Sequence, residues 1–204
     1  MGLFEQLKGD FHFYRKVNPH QGFLGVLFDR YFWVCANYRI GHWACTASGG
    51  VLPRTARPFY LCVNLFVSAL TGTDIRSGAV IGRRFHVHTS FGIMIADGVV
   101  IGDDCTIFTG VCLVNKSNNR GEGQPRIGNR VTLGVGSKIV GGVTVADDVI
   151  VGANAVVLHD VPAGHMAVGV PAQVKPRITT QDQGATGPVG NDAELLRGLS
   201  HSGF

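Results

Sequence analysis

Between Ile75 and Val161 an aliphatic residue returns at every sixth position. The first run is Ile75, Ile81 and Val87. After a two-residue slip come Ile95, Ile101, Ile107 and Leu113, and after a longer interruption Ile127, Leu133, Ile139, Val145, Val151 and Val157. An α-helix needs a period near 3.6 and a half-buried strand a period of 2, so neither explains the pattern. A solenoid does: each short strand puts one aliphatic side chain on the axis, and the turns fall to Gly, Asn and Asp. Glycine follows the aliphatic residue directly at Gly82, Gly102, Gly128, Gly134 and Gly152. Four places after the aliphatic residue lies a second inward candidate: Ala79, Val99, Cys105, Val111, Val131, Ser137, Val143, Val149, Ala155 and Val161. Phe85 and Phe91 are oversized members of that class.

Around this stretch the rest of the chain divides. Residues 1–72 read as an N-terminal helical region, 73–177 as the solenoid and 178–204 as a flexible tail. Leu3, Phe4, Leu7, Phe11 and Tyr14 recur at helical spacing. "NPHQG" (18–22) breaks the pattern, and a second helix is expected from about Phe23 to Cys45. The segment 46–58, rich in Gly, Pro and Ser, reads as a loop. A third helix, Phe59 to Leu70, is apolar nearly all round, with Asn64 and Ser68 sharing one face. It is too short to span a bilayer, which needs about 20 residues. The expectation is a helix buried against the solenoid or another subunit. A peripheral membrane contact, aided by Arg54 and Arg57, is the alternative. The interruption at 114–126, "VNKSNNRGEGQPR", must leave the solenoid wall as a loop, and long loops in compact folds are usually functional. Pro162, Pro171 and Pro176 stop further coils, and residues 179–204 are polar and glycine-rich, so disorder is expected there.

Composition narrows the function. The 204 residues suit one or two domains, and 45% hydrophobic with 16% charged residues is globular. The net charge of +4 is mild, and no Lys/Arg cluster interleaves with aromatics, so nucleic acid is not an expected partner. Five cysteines without a CxxC pair signal neither a zinc site nor a disulfide framework, so no metal is expected and a reducing, cytoplasmic location is. The N-terminus has acidic residues and no apolar core of the secretory kind.

The stretches "GTDIRSGAVIG" (72–82), "FGIMIADGVVIGDDCTI" (91–107) and the run from Pro125 to Gln173 resemble the hexapeptide motif of the left-handed parallel β-helix acyltransferases, specifically serine O-acetyltransferase and the related enzymes of polysaccharide gene clusters. The resemblance covers about half of the chain. It implies a mainly β protein, a left-handed parallel β-helix with an N-terminal α-helical region. It also implies acetyl-CoA as co-substrate, and a homotrimer whose grooves lie between neighbouring solenoids with the interrupting loop reaching over them.

Acyl transfer to a hydroxyl needs a base for the hydroxyl proton, donors for the oxyanion and a held acyl carrier. The resemblance puts Asp74 on the family's first Asp. It puts the family's catalytic His on Thr89, the preceding Asp on His88, a second His on Gln124 and the neighbouring Arg on Gly123. What remains is "FHVHTS", with His86 and His88 flanking Val87 and expected to share the solvent-facing groove side. Three readings stay open. His88 acts as base with Asp74 orienting it; His86 and His88 only hydrogen-bond the acceptor or cofactor; or both are ordinary groove histidines. The resemblance places the cofactor groove on "LGVGSK" (133–138) and "VGANAV" (151–156), giving Gly134, Val135, Gly152 and Ala153 as candidate contacts, with Lys138 near the phosphates. The function expected is an acetyl-CoA-dependent O-acetyltransferase acting on a hydroxyl of a saccharide or other small acceptor. Serine O-acetylation in cysteine biosynthesis and a non-catalytic scaffold are the alternatives.

Overall fold

The computed structural model describes residues 3–17, 24–25, 29–46, 51–115 and 123–177. Among these residues three helices longer than two residues come first: α1 (Leu3–Val17), α2 (Arg30–Thr46) and α3 (Val51–Thr71). Fifteen short strands follow, in three sheets. One sheet holds β1 (Asp74–Ile75), β4 (Met94–Ile95), β7 (Cys112–Val114), β10 (Lys138–Val140) and β13 (Val156–Val157). The second holds β2 (Val80–Ile81), β5 (Val100–Ile101), β8 (Arg126–Ile127) and β11 (Thr144–Val145). The third holds β3 (His86–Val87), β6 (Thr106–Ile107), β9 (Thr132–Leu133), β12 (Ile150–Val151), β14 (His165–Val168) and β15 (Gln173–Pro176). From β1 to β13 the chain visits the three sheets in rotation, and every pairing among these strands is parallel. The architecture is thus mainly parallel β with an N-terminal helical region. β15 alone runs antiparallel, folding back on β14.

Register explains the period of six. Ile75 lies beside Ile95, Ile95 beside Leu113, Leu113 beside Ile139 and Ile139 beside Val157. The other two sheets stack their aliphatic residues in the same way, Val87 to Ile107 to Leu133 to Val151 in the third. Every aliphatic residue of the three runs is buried, so one column of methyl groups per sheet fills the interior. The second class of inward position is buried too, with one exception. Phe91 is 71% exposed and Ile93 is buried instead. The two-residue slip is the reason: the inward residue sits two places before each strand's aliphatic residue, and before Ile95 that place is Ile93.

The glycines after the aliphatic residues stack directly on one another. A Cβ on Gly102 would stand 2.6 Å from the Gly128 carbonyl oxygen, and one on Gly134 would stand 2.7 Å from that of Val151. Beside this column the chain places Arg84, Asp104, Arg130 and Asp148, each with φ between 55° and 61°. Their charges alternate up the stack, so Arg84 pairs with Asp104, and Arg130 with Asp148 at 2.7 Å. Like charges in register would repel. Here the guanidinium partners hold the Asp104 and Asp148 carboxyls below the usual carboxylate range.

The helices seal the open end of the sheets. β2 and β3 are edge strands, whose backbone groups need partners. The Tyr14 hydroxyl donates to the Val87 carbonyl (3.1 Å) and accepts from the Val87 N–H (2.8 Å). The Tyr38 hydroxyl does the same for β2, donating to Ala79 O (2.8 Å) and accepting from Ile81 N (3.2 Å). Arg39 donates to the carbonyls of Ile81 and Gly82 and to Asp10 of α1, Nε to Oδ2 at 2.9 Å. Val34, Cys35 and Tyr38 of α2 belong to the same buried cluster as the strand residues, so helices and sheets share one core.

Two helix boundaries differ from the sequence expectation. Residues 24–25 are helical, close to the expected start at about Phe23, but Asp29 is not: it caps α2, its Oδ1 accepting from Tyr31 N at 2.8 Å, and α2 runs from Arg30. The segment expected as a loop to residue 58 is helical from Val51. Pro53 falls in the first turn, where a missing N–H costs nothing. Helix α3 turns its polar residues toward the rest of the chain. Asn64 accepts from Asn37 (2.9 Å) and Ser68 donates to the Thr73 carbonyl (2.9 Å), so its polar side is turned in. Phe59, Leu65 and Phe66 point outward, Phe59 being 74% exposed. Among the described residues no helix is long and apolar enough to cross a membrane. The "NPHQG" breaker, the centre of the 114–126 loop and the expected disordered tail lie outside the described residues.

Candidate active site

The site grows from β3. Its pleat turns Val87 inward and leaves His86 and His88 on either side. The sequence places both histidines on a solvent-facing groove side, but α1 covers one of them. His86 is 4% exposed, its ring edge-on to Tyr14 (4.8 Å between centroids) and Phe13 (6.0 Å). Burial pushes its pKa down to about 4, with His88 adding to the effect and Asp29 opposing it, so the ring is neutral at pH 7. His88 is exposed and stacks on Phe108, with centroids 4.6 Å apart and planes 22° from parallel. The two imidazoles meet edge-on at 5.8 Å. Among the described residues neither is hydrogen-bonded to another protein group, which leaves their nitrogens for a ligand or water.

Both rings line a cavity of about 210 Å³ together with Tyr14, Asp29, Tyr31 and Thr89. A larger cavity of about 590 Å³ adjoins it through Tyr31 and Thr89 and is lined further by Leu70, Thr71, Ser90, Phe91 and Thr109. Thr89, where the resemblance places a histidine, has a structural bond: its Oγ1 accepts from Thr109 N at 3.0 Å.

Asp74 forms no hydrogen bond or ion pair with either histidine among the described residues. It lies on β1, in a different sheet from β3, pairs with Arg76 at 3.2 Å and lines neither cavity. Gln124 packs against Gly98 and also lines neither. The candidate cofactor residues sit together on the corner after β9 and β12. Gly134 and Gly152 are stacked there and are glycine for packing reasons: a Cβ on Gly152 would meet Val168 at 2.8 Å. Val135 and Ala153 are exposed on the same corner, Val135 accepting from Asn154 N at 2.7 Å, and Lys138 is exposed with Nζ on the Gly136 carbonyl (3.0 Å). No group of three potential metal ligands occurs among the described residues.

The sequence did not single out Asp29, Tyr31 or Phe108 as site residues. Asp29 carries one local signal, an Asp at the cap position ahead of an aromatic run. That it meets β3 is a matter of helix docking, which no local pattern encodes.

Residues 124–159 match the family model described as bacterial transferase hexapeptide (six repeats). This sets the class, a hexapeptide-repeat transferase. Serine acetyltransferase of Synechococcus elongatus is 30% identical over 174 residues, 84% of this chain and 68% of that protein. Serine acetyltransferase of Mycobacterium tuberculosis is 38% identical over 137 residues, 67% of this chain and 57% of that one. Among solved structures, serine acetyltransferase of Brucella abortus in complex with coenzyme A superposes with a TM-score of 0.73 at 25% identity, over 86% of this chain and 68% of that one. The chain belongs to the serine acetyltransferase-like branch of the hexapeptide-repeat acyltransferases. It spans less than two thirds of the length of some of these relatives.

Proposed function

We propose that the protein is an O-acetyltransferase that uses acetyl-CoA, and that serine is its first acceptor to test. Family membership supports the reaction, and the relatives' names support serine over the saccharide favoured by the sequence alone. The observation that carries the site is the exposed His88 imidazole, unbonded and stacked at the wall of a cavity. In this reading His88 takes the proton of the acceptor hydroxyl. The hydroxyl oxygen bonds to the thioester carbonyl carbon, the carbon–sulfur bond breaks, and the imidazolium returns its proton to the leaving sulfur. Buried and neutral, His86 supports His88 and does not act as base. The exposed corner at Val135 and Ala153, with Gly134, Gly152 and Lys138, is the proposed path of the acyl carrier. We extend the reading to a continuous left-handed β-helix over 73–177 behind the 1–72 helical region, to a cytoplasmic location and to a homotrimer. The exposed apolar side chains of Phe59, Leu65 and Phe66 on α3 support self-association.

One observation favours a second acceptor class. Among the described residues no charged side chain lines the 590 Å³ cavity; it offers the rings of Tyr31 and Phe91 and the hydroxyls of Thr71, Thr89, Ser90 and Thr109. A zwitterionic amino acid needs charged partners when it leaves water. A neutral saccharide does not, and it stacks well on aromatic rings. Thiol release from acetyl-CoA, measured with L-serine, with a panel of sugars and with no acceptor, separates the two. His88→Ala is expected to lower the acceptor-dependent rate by roughly 100-fold or more. Wild-type rates in that variant would exclude His88 as base, and no acetyl-CoA binding by the wild type would leave a scaffold role.

A further inference from the structure

The histidine pair needs a carboxylate partner if His88 is to hold a proton during transfer, and Asp74 is on another sheet. Among the described residues one carboxylate does line the cavity with both imidazoles: that of Asp29. It is half-buried and has no cationic partner among the described residues. Its Oδ1 is occupied by Tyr31 N, whereas no protein donor among those residues meets Oδ2. Among the described residues the charged and titratable groups facing His86 and His88 are few. They are Tyr14 from α1 and Asp29 and Tyr31 from the start of α2; β6 and the turn after it offer only Thr106 and Phe108. Asp29 is the sole formal charge among them.

We propose that Asp29, rather than Asp74, is the carboxylate that serves the histidine pair, a positioning residue that stabilises the imidazolium formed when His88 takes the acceptor's proton. The inference rests on the acetyltransferase reading for its consequence in catalysis, but its geometry stands apart from the identity of the acceptor. The cap of α2 thereby has two duties, one for each carboxylate oxygen. These duties can be separated, because asparagine caps a helix about as well as aspartate does while carrying no charge.

The test is an NMR titration of the histidine ring protons in the full chain, for the wild type, Asp29→Asn and Asp74→Asn, with His86→Gln and His88→Ala used for assignment. Removing a carboxylate that faces an imidazole lowers the imidazole's midpoint, and the expected shift of His88 or His86 in Asp29→Asn is about one unit. Asp74→Asn is expected to leave both midpoints in place. Where acetyl transfer is measurable, the acid limb of kcat/KM should move to lower pH by the same amount in Asp29→Asn, with the plateau down about tenfold. Thermal stability should stay at the wild-type level for Asp29→Asn and drop for Asp29→Ala, which loses the cap as well. Unmoved midpoints in Asp29→Asn, or a shift in Asp74→Asn instead, would overturn the proposal. Because the titration needs no turnover, a protein without acetyltransferase activity would defeat the functional reading and still decide this one.

Discussion

Replacing Tyr14 by Phe removes one oxygen atom and leaves the ring in place. The oxygen is the described partner of both backbone groups of Val87, donating to its carbonyl at 3.1 Å and accepting from its N–H at 2.8 Å. β3 is the edge of its sheet, so no further strand can take over these bonds. Tyr14 is 1% exposed and Val87 is fully buried, so water does not reach the gap. An unsatisfied buried backbone group costs about 1–3 kcal/mol, and two of them about 2–6 kcal/mol. For a domain of this size each kcal/mol lowers Tm by roughly 2–4 °C, so Tyr14→Phe should melt about 4–24 °C below the wild type. The edge-on contact of the ring with His86 survives the change, and hydrogen exchange should speed up at the Val87 amide well before the interior strands respond. Urea and thermal unfolding give the stability, and amide exchange gives the location. Tyr14→Phe within about 0.5 kcal/mol of the wild type, or faster exchange spread evenly over all three sheets, would refute the reasoning that this hydroxyl caps the edge.

Arg39→Met strands the Asp10 carboxylate, whose side chain is 2% exposed, and should cost about 3–5 kcal/mol in urea unfolding. Asp10 is already pushed up by burial against the pull of Arg39, so adding Asp10→Asn to Arg39→Met should recover part of the loss. His86 predicts a pH dependence. Its folded pKa of about 4 lies below the unfolded 6.5, so the unfolded chain binds the proton first as pH falls. The stability linked to His86 is complete above 6.5 and is lost on the way down to about 4, with a slope of at most about 1.4 kcal/mol per pH unit. His86→Gln should flatten that part of the urea-midpoint profile by the difference, which isolates His86 from the carboxylates titrating nearby.

The stacked part of the fold was legible because its register is written in the chain. A sixfold aliphatic repeat can satisfy three stacked sheets only if every third repeat lands on the same column, as Ile81, Ile101 and Ile127 do in the second sheet. The slip before Ile95 misled the assignment of Phe91 because counting forward from Val87 ignores an insertion, whereas counting back from Ile95 finds Ile93. The alternating Arg84, Asp104, Arg130 and Asp148 were legible in principle, three places after Ile81, Ile101, Ile127 and Val145, but their pairing becomes evident only once the register is known. The helices were less legible. α3 carries its polar residues inward because Asn37, 27 residues from Asn64, and the Thr73 carbonyl beyond its end bond them, a demand its own hydrophobic pattern does not show. The candidate site depends on that same docking. His86 and His88 stand out in the sequence, but which of them is covered depends on where α1 lies.

The cap and the candidate site are made of the same side chains, and this constrains how the site can change. Tyr14 seals the Val87 edge with its hydroxyl and walls the cavity with its ring, so no substitution can reshape that wall without opening the edge. His86 is held dry by Tyr14 and Phe13 for the same reason and is poorly suited to accept a charge. Thr89 is likewise tied to the Thr109 backbone. The groups free of edge duties are His88, the second oxygen of Asp29 and the outer rim at Phe91. Proton handling and acceptor choice can therefore vary only there. Substitution at Phe91, 71% exposed and in contact with nothing the cap requires, should alter the acceptor's KM while leaving Tm near the wild-type value, which substitution at Tyr14 cannot do.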